Sequence, residues 1–202
     1  LDSNDCLRLR DPRRFGALLW TRNNPLEHKL LKDLGPEPLA LEFCGDFLYE
    51  KLRGRKRAIR DALLDGHLIA GIGNIYANEA LFAAGIRPMR RAERIPRIQY
   101  DRLAEAIRDT LHRAIRAGGT TLRDFRASDG QPGYFRLSLN VYGREGEPCL
   151  TCQTPIRAKR LGQRSAFYCP KCQEQVAAGS RGAGRLPSEA KLFRRESAGP
   201  PQ

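Results

Sequence analysis

The sequence has no apolar run long enough to cross a bilayer, and no leader of the charged, apolar and small-residue kind opens it. A membrane-spanning protein is therefore not expected. Acidic residues are in deficit, 23 against 36 lysines and arginines, which leaves a formal charge of +13. That imbalance favours a polyanionic partner, with nucleic acid ahead of an anionic membrane surface; ribosomal-type solubility is the bland alternative. Histidine is scarce. His28, His67 and His112 stand apart from one another, which suits surface or half-buried side chains better than a metal or acid–base site. No internal repeat is present, and no strict G-x-G-x-x-G, so a dinucleotide fold is not indicated. An initiator methionine is also missing. Leu1-Asp2-Ser3 opens inside what reads as a strand, and a partial chain is expected.

Cysteine is sparse but patterned. Four of the six fall in C-L-T-C at 149–152 and C-P-K-C at 169–172, with sixteen residues between the pairs. Two Cys-x-x-Cys turns at this separation fit a four-thiolate zinc site, closed and therefore structural. Pro155 to Arg157, Gly162 and Ala166 to Tyr168 read as strand, bend and strand of a zinc ribbon, with Gln163, Arg164 and Ser165 displayed just past the turn. Two disulfides of a secreted domain are the alternative, but nothing else looks secreted. Cys6 and Cys44 have no close partner, which suits a reducing cytosol.

The 202 residues suffice for one or two small domains. Residues 1–22 read as strands, with Asp11-Pro12-Arg13-Arg14-Phe15-Gly16 as a turn between them. Composition leaves that turn open: a basic hairpin with Phe15 in the core, or a nucleic-acid contact in which Phe15 wedges into a base stack. Asn24-Pro25-Leu26-Glu27 starts a helix that stops at Gly35-Pro36. A second helix fits Asp46 to Arg53, closed by Gly54. Arg55-Lys56-Arg57 opens a third, ending at Asp65-Gly66, and a fourth spans Ile75 to Ala84. Before it, Gly71-Ile72-Gly73-Asn74 makes a phosphate seat, a plain N-cap at Asn74, or both. Tyr100 to Ala117 is the clearest helix, with Leu103, Ile107, Leu111 and Ile115 at four-residue spacing. Residues 120–135 form a long polar loop, 137–142 alternate as a strand, and the tail from 176 to 202 has a disordered composition.

Several stretches together resemble the bacterial formamidopyrimidine-DNA glycosylase family, which also holds endonuclease VIII. They are DPRRFG at 11–16, LGPEPL at 34–39, AGIGNIYANEALFAAGI at 70–86, GGTTLRDF at 118–125, SDGQPGYF at 128–135, VYGREGEPC at 141–149 and GQRSAFYCPKCQ at 162–173. They keep the family's order and cover residues 1 to about 175. The resemblance implies an α+β chain: C-terminal strands of a β-sandwich domain (1–22), a mainly helical helix–two-turn–helix domain (23–140), a zinc ribbon (141–175) and a tail (176–202).

It also implies base-excision repair of oxidised purines, 8-oxoguanine and formamidopyrimidines, by a bifunctional glycosylase and AP lyase that flips the damaged nucleotide out of duplex DNA. Carried over by motif, Lys56, Asn74 and Arg164 would grip the backbone around the lesion. Arg164 would also assist δ-elimination, by electrostatic support of the leaving phosphate at least as much as by proton donation. Arg13, with Arg14 beside it, would contact the base left unpaired, Phe15 would fill the gap in the stack, and Ser128 to Tyr134 would cover the flipped base. One structural Zn2+ on Cys149, Cys152, Cys169 and Cys172, damaged double-stranded DNA as partner, a monomer and a bacterial cytoplasmic, nucleoid-associated setting complete the expectation.

The departure is at the front. The family opens with Pro-Glu-Leu-Pro-Glu-Val, and no such segment occurs here. Pro12 cannot supply the nucleophile, because a proline nitrogen inside a chain is an amide. A non-catalytic damaged-DNA-binding module is the competing reading, and an RNA-associated zinc-ribbon protein a weaker third.

Overall fold

The computed structural model describes residue 9, residues 16–118 and residues 139–174. Arg13, Arg14, Phe15, Ser128, Tyr134 and the tail from 176 lie outside the described residues. Within residues 16–22 the expected strand does not form. Leu18, Leu19 and Trp20 are 67, 59 and 80% exposed, and without a buried face an apolar run gains little from extending as a strand.

The first expected helix shrinks to a single 3-10 turn, Pro25–Glu27, with the Asn24 side chain accepting from the Leu26 amide at 3.0 Å. Separate turns follow as far as Leu34. Leu26, Leu30 and Leu31 stay exposed, so a longer helix would order residues without burying a face. Helix α1, Gly45–Leu52, starts where the Cys44 sulfur accepts from the Phe47 amide at 3.5 Å. A Cβ on Gly45 would lie 2.0 Å from the Asp101 carboxylate and 2.7 Å from its amide nitrogen, so glycine permits the close approach to the next long helix.

Helix α2 is only Ile59–Leu63. Residues 55–57 are extended rather than helical, because residues 88–93 claim their backbone. Glu93 and Ala92 donate to the carbonyls of Arg55 and Arg57 at 3.0 and 3.1 Å, and Ile59 donates to the Arg90 carbonyl at 2.8 Å. Two turns then lead to α3, Asn74–Ala83. It ends in a Schellman pattern: Gly85 has φ +70°, and the Ile86 amide donates to the Leu81 carbonyl at 2.9 Å.

Helix α4, Arg97–Arg116, is the longest element. Its expected apolar row drifts off the core. Leu103 and Ile107 are buried, whereas Ile115 is 63% exposed. Four-residue steps overrun the helical turn by about 40° each, and the buried face continues instead through Ala106, Thr110 and Ala114. Helices α1 and α3 pack against α4 around one core that includes Phe43, Leu48, Leu63, Leu81 and Tyr100. Burial pushes the Tyr100 phenol up, against a smaller opposing effect of Arg90; the neutral hydroxyl donates to the Ala92 carbonyl at 2.8 Å.

The ribbon is an antiparallel pair, β1 Arg157–Leu161 and β2 Arg164–Tyr168, in register from Arg157 opposite Tyr168 to Leu161 opposite Arg164. Gly162 opens its two-residue turn with φ +58°, a conformation that favours glycine at the first turn position. The expected strand at 137–142 is absent from its described part. The amides of Asn140, Val141 and Tyr142 donate to the Glu79 carboxylate at 2.8–2.9 Å, and the Asn140 side chain adds a bond at 3.0 Å. A carboxylate, rather than a neighbouring strand, satisfies this backbone.

Candidate metal centre and basic edge

The sulfurs of Cys149, Cys152, Cys169 and Cys172 all lie within 4.8 Å of one another. Cys149 and Cys172 are 3.8 Å apart, and Cys152 and Cys169 are 3.4 Å apart. A tetrahedron with metal–sulfur bonds of about 2.3 Å has edges of about 3.8 Å, and a disulfide would need about 2.05 Å. The donors therefore fit one zinc ion and not two disulfides. Left-handed Gln153, φ +61°, and the Cys172 amide donating to the Cys169 sulfur at 3.3 Å complete two tight knuckles. Burial pushes the Cys152 thiol up, but hydrogen bonds from Thr154 and from the Cys169 and Cys172 side chains outweigh it and bring it down to about 6. Burial and the Cys152 and Cys169 thiols push Cys172 up. Thiolate ligands carry like charge, which a bound dication would offset. The site is a closed, structural zinc centre.

Two polar anchors fix the ribbon to the helices. At one end, Gln173 accepts from the Cys169 amide at 2.9 Å and donates to the Ile86 carbonyl at 2.8 Å. Arg87 donates to the carbonyls of Gln173 and Pro170 and stacks on Tyr168, with 5.3 Å between guanidinium carbon and ring centroid. At the other end, buried Asn78 accepts from the Phe167 amide at 2.8 Å and donates to the Asn74 carbonyl at 2.6 Å. Sequence reasoning missed Arg60, Asn78, Glu79, Arg87 and Gln173. Asn78 and Glu79 lie inside a quoted motif, yet nothing local marks them as buried.

The Asn74 side chain is not an N-cap. Gly73 holds that position without a side-chain bond, and Asn74 is the first helical residue. Its Nδ2 donates to the Ser165 carbonyl at 3.0 Å, and its Oδ1 accepts from Arg60 and Asn78, each at 3.3 Å. The structure thus brings Asn74 to the ribbon turn, beside Arg164. A Cβ at Gly71 or Gly73 would meet nothing within 4 Å, so the approach to the N-terminus of α3, where the helix dipole favours an anion, is open.

Arg164 is exposed at the first residue of β2. A groove of about 330 Å³ lies between α2 and the hairpin turn, lined by Arg57, Arg60, Asp61, Gln163 and Arg164 among others. Lys56 sits exposed on the extended segment leading into α2. Both its neighbours in sequence are engaged by one acid: Arg57 lies 3.1 Å and Arg55 3.9 Å from the Asp65 carboxylate. No ion pair holds Lys56 among the described residues.

Helices α2 and α3 joined by two turns, with a four-cysteine ribbon docked on them, define a helical zinc-ribbon protein. Family models agree: "Formamidopyrimidine-DNA glycosylase H2TH domain" matches residues 34–126, and "Zinc finger found in FPG and IleRS" matches residues 146–175. Over these residues the chain is similar to the formamidopyrimidine-DNA glycosylase family. The formamidopyrimidine-DNA glycosylase of Syntrophotalea carbinolica is 56% identical over 173 residues, 86% of this chain and 64% of that protein. That of Nitrosococcus oceani is 53% identical with the same coverage. The chain therefore spans about 64% of the length of these curated relatives. Among solved structures, the MutM (Fpg) protein of Thermus thermophilus aligns with TM-score 0.76 and 41% identity over 83% of this chain and 64% of its own. Lactococcus lactis Fpg, solved in complex with DNA containing an abasic site, gives TM-score 0.67 and 34% identity over 72% of this chain and 54% of its own.

Proposed function

We propose that this chain is the DNA-gripping portion of a base-excision glycosylase that acts on oxidised purines in duplex DNA. The observation that carries this reading is the basic edge. Arg164 on the ribbon turn stands beside Asn74 at the open N-terminus of α3, the exposed Lys56 leads into α2, and the zinc centre and two polar anchors keep the ribbon from moving against the helices. These groups suit a phosphate backbone, which positions a protein without reading sequence. Relatives solved on damaged DNA support the partner. In the same reading Arg13, Arg14 and Phe15 occupy the space beside the unpaired base, Ser128 to Tyr134 cover the flipped one, and the unit acts as a monomer. Arg164 supports the phosphate that leaves in δ-elimination.

A second reading, as a damaged-DNA-binding module without lyase chemistry, rests on the same basic edge, which accounts for binding alone. Anisotropy with a duplex carrying an abasic-site analogue tests the first claim. Binding should exceed that of the intact duplex and fall with salt at a slope near −0.9 per phosphate engaged; a flat salt response or no preference overturns it. Borohydride tests the second, since a trapped adduct on these residues would show that a nucleophile is present.

A further inference from the structure

The basic edge depends on a residue that does not face solvent. Arg60, in α2, is 1% exposed. Its guanidinium reaches three separate parts of the chain. Nη1 donates to Asn74 Oδ1 at 3.3 Å, and Nη2 donates to the carbonyls of Leu161 and Arg164 at 2.9 and 3.3 Å. Asp61 Oδ1 holds Nη2 at 3.0 Å. These two carbonyls flank the ribbon turn, and Asn74 opens α3. Because Arg60 and Asn78 both donate to Asn74 Oδ1, the Asn74 amide is turned so that Nδ2 meets Ser165. One planar fork therefore sets both the turn that carries Arg164 and the rotamer of Asn74. Burial lowers the Arg60 pKa, Asp61 works against that, and nearby Arg164 adds to it.

We propose that Arg60 is a positioning residue for DNA binding, registering Arg164 and Asn74 against each other through the ribbon-turn carbonyls. This rests on the reading of the basic edge as the DNA contact. Arg60 touches no phosphate itself; it fixes the spacing between groups that do. A lysine in its place would keep the charge but lose the fork, since an ammonium is a point donor without the planar geometry that serves two directions at once.

Arg60→Lys separates charge from geometry. In the free 202-residue chain it should shift the amide resonances of Arg164 and Ser165 and the Asn74 side-chain amide, while those of α4 stay in place. Its affinity for the abasic-analogue duplex should fall about tenfold, the loss expected for charge-assisted hydrogen bonds of this kind. That loss should shrink in an Arg164→Ala background, because residues that act through one another are not additive. Wild-type affinity, unmoved resonances, or the same fold-loss in both backgrounds overturns the proposal. Asp61→Ala provides a second route should Arg60→Lys not fold. Removing an acid from a DNA-binding edge tightens binding if only charge matters, whereas freeing the guanidinium from its anchor weakens it; equal or tighter binding overturns the proposal. Failure of the wild-type chain to bind either duplex would instead remove the DNA reading, and the resonance shifts would still decide whether Arg60 sets the turn.

Discussion

The helical body and the zinc ribbon are held together by different physics. The body buries a continuous apolar core from Phe43 to Ile107. Among the described residues the ribbon's own buried cluster is Val141, Cys149, Ile156 and Cys169, and two of these are metal ligands. A segment this short cannot bury enough surface to offset the entropy of ordering it. Zinc ligation and hydrogen bonds to the helices do that work instead. The body is thus expected to survive without the ribbon, and the ribbon not to survive without metal.

Metal removal is the largest expected effect. Structural zinc contributes apparent free energies of about 10–16 kcal/mol in small zinc fingers. Chelation, or Cys169→Ser, should abolish zinc content by elemental analysis and collapse the hairpin resonances, while helical circular dichroism persists and DNA binding weakens. Simultaneous loss of the helices would break the contrast between the two regions.

The converse test sits in the body. Leu103 is fully buried on α4, and Leu103→Ala should cost about 2–5 kcal/mol through lost transfer energy and a cavity. Denaturant unfolding of zinc-loaded protein measures it. A loss below about 1 kcal/mol would mean that the α4 face is not the core's centre.

Between the two regions lies Glu79, 1% exposed and accepting four hydrogen bonds. Glu79→Gln replaces one accepting oxygen with a donor facing backbone amides. The expected cost is about 2–3 kcal/mol, that of leaving buried donors unsatisfied. Hydrogen exchange should show the opening confined to residues 140–142 and the ribbon behind them. Uniform loss of protection through α1 to α4 would show that the two regions melt as one.

What the sequence reveals and what it hides divides along range. The ribbon was readable because its chemistry is local: two Cys-x-x-Cys turns and a glycine bend state the site almost by themselves. Helix α4 was readable from its periodicity. Residues 55–57 were not. A basic triplet before Ala58 and Ile59 suits a helix start, and only pairing with residues 88–93, invisible to any local rule, makes it extended. Arg60, Asn78 and Glu79 were hidden for the same reason: the Arg60–Asn74 bond spans 14 residues, and their other partners, near neighbours apart, lie between 61 and 104 residues away. Asn74 opens α3, but its side chain bonds the ribbon at Ser165 rather than capping its own helix. No strand forms at 17–20, which pair with no other described residues, and pairing is not a property those residues hold by themselves.

The smallest effect sharpens the comparison within one helix. Ile115 belongs to the same four-residue row as Leu103, yet it is 63% exposed. If the row were a true core stripe, Ile115→Lys would bury a charge and cost several kcal/mol, of the order of a lost core contact. On the observed geometry the new ammonium reaches water, and the change should stay within about 0.5 kcal/mol. Lysine also carries positive charge near the C-terminus of α4, where the helix dipole favours it, so the sign should be neutral to slightly stabilising. Paired denaturant curves of Leu103→Ala and Ile115→Lys therefore locate the core edge on α4. Equal losses in the two variants would place something apolar over the Ile115 face, and the helical body would no longer be bounded by its own core.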